Sequence, residues 1–337
     1  MVETIELLDF IGGNQNPTDA KVHDFQKLLN YSKKNRIELL YLNTLKNNEG
    51  FAEFEDLHSL QVRKYSATFD AVEKISKVLS KSDIDHAVFK TVRPYIFNTV
   101  DIDIVVFGEQ FHYEKAVRVL LSARYEKIVR GPMSTTFRDP KLRIGIDLYD
   151  EIAVSYVPYI DKNKICDFVT DKEIPGHHSF RTLACEADLL AIIAHSIIKE
   201  NLYVLSEYFT YIYYLDQLDV DRFIRLARRT HLIPAIRTHT SVTAVLYKKT
   251  HGNLTQKLKE ILRKLGSDPV EIERIEQNCF KMPYRYHPLT IVRCLFGVAR
   301  EKKTMKGITN QAIKSFNREF LQDFLKKLKE HANRETY

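Results

Sequence analysis

Residues 100–107 read VDIDIVVF, two aspartates one residue apart in an otherwise apolar run. In a strand successive side chains alternate between faces, so Asp101 and Asp103 project together while Ile102 and Ile104 point into a core. Neighbouring carboxylates repel, and a divalent cation relieves the repulsion; Mg²⁺ takes oxygen ligands, commonly one or two carboxylates completed by substrate phosphates. A second alternating run, RIGIDLYD at 143–150, puts Asp147 on the outward face of another strand, able to add a third oxygen if the two strands are neighbours. Upstream, HAVFKTV ends in Lys90 and Thr91. The ammonium would act as a point charge on a triphosphate, and the hydroxyl would donate to a phosphate oxygen. Arg93 follows closely, and Arg138 and Arg143 flank the strand of Asp147, each a further phosphate candidate. An isolated Asp-x-Asp would equally suit a turn or an exposed sheet edge; the Lys-Thr pair upstream turns the reading toward chemistry.

The elements that must hold these residues follow from periodicity. Residues 20–48 and 56–82 carry apolar side chains at helical intervals, and 110–128 does so again. HAVFKTV, VDIDIVVF and RIGIDLYD are short and rich in Val, Ile and Phe, as strands are. After DKEIPGHHS the chain is expected to be helical to its end, with Pro175–Gly176 as the boundary. His195, inside the apolar run LLAIIAHSII, could face a cleft but reads first as a hydrogen-bonded core histidine, and the adjacent His177 and His178 as part of a solvent loop.

The chain has 337 residues, 44% hydrophobic and 28% charged, which suits a globular protein long enough for two domains. Cys166, Cys185, Cys279 and Cys294 are too widely and irregularly spaced for a Cys-x-x-Cys metal pair or a disulfide framework. The opening MVETIELLDFIGG lacks the basic start and sustained apolar core of a signal peptide. No apolar stretch reaches the ~20 residues of a membrane span. The expectation is a cytoplasmic protein without membrane contact. Net charge is +7 but polarised: residues 222–337 hold 25 Lys+Arg against 10 Asp+Glu, leaving an acidic front. Arg222, Arg225 and Arg229 recur at helical spacing on one face, and KKTHGNLTQKLKEILRK, REKKTMKG, FLKKLKE and MPYRYHP add further cations, the last interleaved with tyrosines. Such a pattern suits RNA, and it equally suits a lysine-rich solvated surface.

The string Phe89-Lys90-Thr91, then Asp101-Ile102-Asp103, then Asp147 on a later strand resembles the nucleotidyltransferases of the DNA polymerase β superfamily. The closer likeness is to a prokaryotic nucleotidyltransferase family that carries LKG on the first strand of its catalytic unit, and it extends to RIELLYLNTL, SATFDAVEKISKVLSKSDIDHAVFK and EADLLAIIAHSII. This chain has Thr91 where that family has glycine. The resemblance implies an α+β fold: N-terminal helices (1–84) packed on a small mixed-sheet nucleotidyltransferase domain (85–174), followed by an all-helical basic domain (175–337). It implies metal-dependent transfer of a nucleoside monophosphate from a nucleoside triphosphate to an acceptor such as RNA, a protein or a small molecule. Asp101, Asp103 and Asp147 would hold Mg²⁺ or Mn²⁺, Asp147 alternatively serving as general base, with Lys90, Thr91, Arg93 and Arg143 at the nucleotide. The alternative is a catalytically inactive member of the fold that binds nucleotide or RNA.

Overall fold

The computed structural model describes residues 2–12, 24–174 and 176–317, together with 320, 322 and 326. Residues 20–23 of the first expected helix, Pro175 at the expected boundary and most of FLKKLKE lie outside the described residues.

Among the described residues nine strands form: β1 (His86–Val88), β2 (Asp101–Val106), β3 (Glu126–Arg130), β4 (Ser134–Arg138), β5 (Gly145–Tyr149), β6 (Ile152–Val154), β7 (Val157–Ile160), β8 (Val169–Lys172) and β9 (Phe180–Leu183). Seven of them make one mixed sheet in the order β3-β4-β5-β2-β1-β9-β8, and β6 and β7 pair as a separate hairpin. Strands β2 and β5 are parallel neighbours, as are β1 and β9; the other pairs in the sheet are antiparallel. Helices precede this sheet and follow it, so the fold is α+β.

Period-two patterning gives the sheet a core on each face. Ile102, Ile104 and Val106 of β2 and Ile146 and Leu148 of β5 are fully buried against Phe69, Val72, Ile75 and Leu79 of the Glu55–Ser80 helix and Tyr113, Val117 and Leu120 of the Gln110–Ser122 helix. Each such aliphatic side chain stabilises the fold by roughly 1.5–3 kcal/mol. The opposite face meets the other helices: Val105 and Tyr149 join a core with Leu28 and Tyr41 from the N-terminal helices and Leu190 and Tyr208 from the C-terminal ones. The carboxylates therefore sit on the face turned toward the helical layer.

Three expectations of element extent need correction. Residues 20–48 do not form one helix: Phe25–Lys34 and Glu38–Leu45 are separated at Arg36, whose φ is +58°, while Ile37 N–H reaches back to Ser32 C=O at 3.0 Å. The helix expected over 110–128 ends at Ser122 by the same device, with Arg124 at φ +66° and Tyr125 N–H on Leu120 C=O at 3.0 Å. A left-handed residue closing a helix with a six-to-one bond is a Schellman-type stop. Finally, the chain does not become helical directly after 176, because β9 returns to pair with β8 and to continue the sheet beside β1, where Thr182 Oγ1 donates to Val88 C=O at 2.8 Å. All four cysteines are free. Among the described residues no helix is long and apolar enough to cross a membrane.

Candidate active site

The parallel register of β2 and β5 sets Asp103 directly opposite Asp147 and Asp101 opposite Gly145. All three carboxylates line one cavity of about 380 Å³, a volume within the ~300–1,000 Å³ usual for small-ligand sites. The absence of a side chain at Gly145 makes room for Asp101: a Cβ at that position would collide with its carboxylate and force it to turn aside.

Burial, then repulsion from Asp147 and Asp103, pushes Asp101 up to about 6. Burial and Asp103 likewise raise Asp147, opposed by the hydrogen bond that Thr136 Oγ1 of β4 donates to Asp147 Oδ1 at 2.6 Å. This is the electrostatic condition of an oxygen cluster short of positive charge.

Among the described residues no set of three or more His, Cys, Asp or Glu side chains is already gathered as a metal site. The reason is visible in the rotamers, since Asp103 Oδ1 takes the Lys90 ammonium at 3.2 Å while Asp147 takes Thr136. Backbone placement and an all-oxygen donor set fit Mg²⁺ or Mn²⁺.

Lys90 is the hub of the cluster. It leaves β1 with φ +59°, the left-handed region that glycine enters most easily. The turn is held by Asp188, fully buried on the Cys185–Ala194 helix, whose Oδ1 accepts Lys90 N–H at 2.6 Å while Oδ2 accepts the Tyr214 hydroxyl at 2.8 Å. The side chain turns inward, 7% exposed, and Nζ approaches His195 Nδ1 at 3.2 Å and lies over the rings of Phe89 and Tyr149. Burial pushes the ammonium below its ordinary range, against the pull of Asp103. Thr91 Oγ1 donates to Phe89 C=O at 3.2 Å and accepts Asp103 N–H at 2.9 Å, so it pins the turn to β2 and its bonding is internal.

Of the expected phosphate contacts, Arg93 reaches the cavity, where Nη1 donates to Thr210 at 3.2 Å and the guanidinium lies over Phe97. Arg143 does not line it; this exposed side chain pairs with Glu126 on β3 at 3.4 Å. Arg222 and Arg229 stack on Phe168 and pair with Glu186 and Asp167, and Arg225 is exposed on the same helix; none of the three lines the cavity.

His195, read from sequence first as a core residue, lines the cavity. It opens a π-helical segment, His195–Glu200. In an α-helix residues five apart point about 140° away from each other, whereas i to i+5 closure stacks them. That closure lets His195 Nε2 meet Glu200 Oε1 at 3.3 Å. Burial, with Lys90 and Lys199, takes the imidazole down to about 3, so it is neutral, with Nδ1 facing the Lys90 donor and Nε2–H directed at Glu200. Burial opposes ionisation of Glu200, but His195 and Arg36 bring it to about 2. Lys33 and Arg36 extend the cationic rim from the N-terminal helices. Neither they nor Lys199 and Asp188 stood out in the sequence, where each is an ordinary member of an amphipathic helix or a helix end.

No family model matches the sequence, and no curated protein matches it. Among solved structures the chain is similar to an antigenic nucleotidyltransferase-like protein from Paracoccidioides brasiliensis, with TM-score 0.33 and 14% identity over 64% of this chain and 92% of that one. It is also similar to a STING-associated CdnE c-di-GMP synthase from Capnocytophaga granulosa, with TM-score 0.30 and 14% identity over 92% of this chain and 97% of that one. Likenesses this distant do not say which residues act.

Proposed function

We propose that this chain is a metal-dependent nucleotidyltransferase, moving a nucleoside monophosphate from a nucleoside triphosphate to an acceptor with release of pyrophosphate. The observation that carries the reading is the pairing of Asp103 with Asp147 on adjacent parallel strands, with Asp101 on the same face, all opening into one cavity rimmed by Lys33, Arg36, Arg93 and Lys199. Asp101, Asp103 and Asp147 would hold Mg²⁺ or Mn²⁺, which when bound neutralises phosphate charge and lowers the pKa of an acceptor group. The rim cations would neutralise and orient the triphosphate. The acceptor oxygen or nitrogen then bonds to the α-phosphorus, the bond to the β-phosphate oxygen breaks, and the acceptor proton passes to a base for which Asp147 is the candidate. Lys90 would act chiefly by holding Asp103, and Thr91 by holding the turn.

A second reading, a member of the fold that binds nucleotide without turnover, is favoured by the Lys90–Asp103 pair, which puts a fixed cation where a metal would be needed. One experiment separates them. Purified protein is incubated with each labelled nucleoside triphosphate, Mg²⁺ or Mn²⁺ and total cellular RNA, beside an Asp101→Ala/Asp103→Ala variant. Label transferred to RNA or protein by the wild type alone supports transfer; metal-dependent binding with no label in any acceptor, including small hydroxylated and aminated molecules, supports the second reading.

A further inference from the structure

Beside the carboxylate cavity lies a second one, about 970 Å³, more than twice its size. Both take walls from the same two segments. Lys33 and Arg36 line the first and Lys34 the second; Glu200 lines the first and Leu202 the second. The far wall of the second cavity is the MPYRYHP stretch, tied down at both ends. Tyr203 and Tyr284 exchange backbone hydrogen bonds at 2.7 and 2.8 Å, and Met282 N–H donates to the Tyr31 hydroxyl at 2.9 Å.

Its lining carries Lys34, Arg274, Lys281 and Arg285 against one acid, Glu3, and Glu3 is already paired with Lys27 at 3.1 Å. Lys34 and Lys281 are exposed and have no ion-pair partner among the described residues. Arg274 is fixed by the fully buried Glu271, which also accepts His287 N–H at 2.8 Å and the hydroxyls of Tyr284 and Thr290. The Arg274 guanidinium and the exposed, unpaired ammonium groups of Lys34 and Lys281 give the cavity the positive charge that phosphate oxygens require.

We propose that this second cavity binds the phosphate backbone of a single-stranded nucleic-acid acceptor whose reacting end enters the carboxylate cavity. The inference rests on the nucleotidyltransferase reading for the word acceptor, but the binding itself does not. A small acceptor would lie within the first cavity and have no use for a cationic cavity walled by the same two segments. A strand spans both, and the shared segments 33–36 and 199–202 supply cations along the way.

The test is binding without catalysis. The Asp101→Ala/Asp103→Ala protein is titrated against a fluorescein-labelled oligoribonucleotide of about 12 nucleotides, and anisotropy is read across a salt series. The same is done with Lys34→Glu/Lys281→Glu added, and with Arg222→Glu/Arg225→Glu added; circular dichroism checks the fold of each. The Lys34/Lys281 change is expected to weaken binding by about tenfold or more and to flatten the log–log salt slope by about 1.4, two single-strand phosphate contacts. No oligonucleotide binding at low salt, or a loss confined to the Arg222/Arg225 variant, overturns the inference. So does tripolyphosphate binding through Lys34 and Lys281 as tightly as the oligonucleotide, which would make this a small-anion site. Nucleoside triphosphate binding to the wild type, measured separately, reports on the catalytic reading alone.

Discussion

Gly145 and Asp101 face each other across the β2–β5 pair so closely that the carboxylate occupies the space of a glycine Cβ. The far end of the aspartate is what would have to move, so Gly145→Ala is expected to leave the fold intact while turning Asp101 away from its neighbours. Mg²⁺-dependent nucleotide binding should weaken by about tenfold in calorimetry, and truncating Asp101 should relieve the collision. In a double-mutant cycle, Gly145→Ala should cost less stability in an Asp101→Ala background than in wild type, a coupling of about 0.5–3 kcal/mol. Strict additivity would mean that the collision does not matter.

The crowded carboxylates also set a pH dependence. Asp101 ionises near 3.8 when unperturbed and at about 6 in the fold. Across that interval the folded state binds more protons than the unfolded one, so stability falls as pH rises from about 4 to about 6 and is level above. In metal-free buffer Asp101→Asn should therefore be stabilising relative to wild type, by an amount that grows between pH 4 and 6 and then stays constant. Urea midpoints for both proteins at pH 4, 5, 6 and 7 check this; a difference independent of pH would show the carboxylate to be unperturbed.

His195 runs in the opposite sense. An imidazole taken from 6.5 down to about 3 in the fold stays neutral while its unfolded counterpart protonates, so stability attributable to it is lost as pH falls from 6.5 toward 3. Its ring proton resonances should not titrate between pH 8 and 5. A His195 midpoint near 6.5 would remove it from the Lys90 contact.

Asp188 holds the Lys90 turn from behind. Asp188→Ala strands a buried N–H and a buried hydroxyl, at roughly 1–3 kcal/mol for each group. Asp188→Asn keeps one acceptor and should be the milder of the two by urea denaturation. Because the turn positions Lys90 against Asp103, both changes should weaken triphosphate binding more than a distant substitution of equal stability effect, such as Leu120→Ala in the other core.

What could be read from the residues alone follows a simple division. Strict alternation carries its own geometry, so the common face of Asp101 and Asp103, the outward face of Asp147 on its own strand and the burial of Ile102, Ile104, Ile146 and Leu148 were legible. Long-range assembly was not. STTFR at 134–138 has no strong apolar run, so β4 and its Thr136 went unseen, and β9 was hidden behind a turn that looked like a domain boundary. Arg143 sits two residues from Gly145 yet points to Glu126, because its own φ of +59° turns the chain at that point. His195 is enclosed and hydrogen-bonded, as expected, but its place at the cavity was not legible because its polar partners come from three separate stretches, at Lys90, Tyr159 and Glu200. The left-handed backbone of Lys90, a conformation glycine enters most easily, has no signature in residue type or spacing.

The His195–Glu200 segment owes its shape to length. A π turn is an α-helix that has taken in one extra residue, so the pairing of histidine with glutamate is encoded by a count of amino acids and would survive many changes of their type. Wound as an ordinary α-helix, the same residues would leave His195 and Glu200 five apart and about 140° around the axis from each other, separating the pair although every chemically important side chain would still be present. Substitution scans of this region will therefore understate its importance, and relatives that share its function should be sought by a conserved spacing as much as by conserved letters.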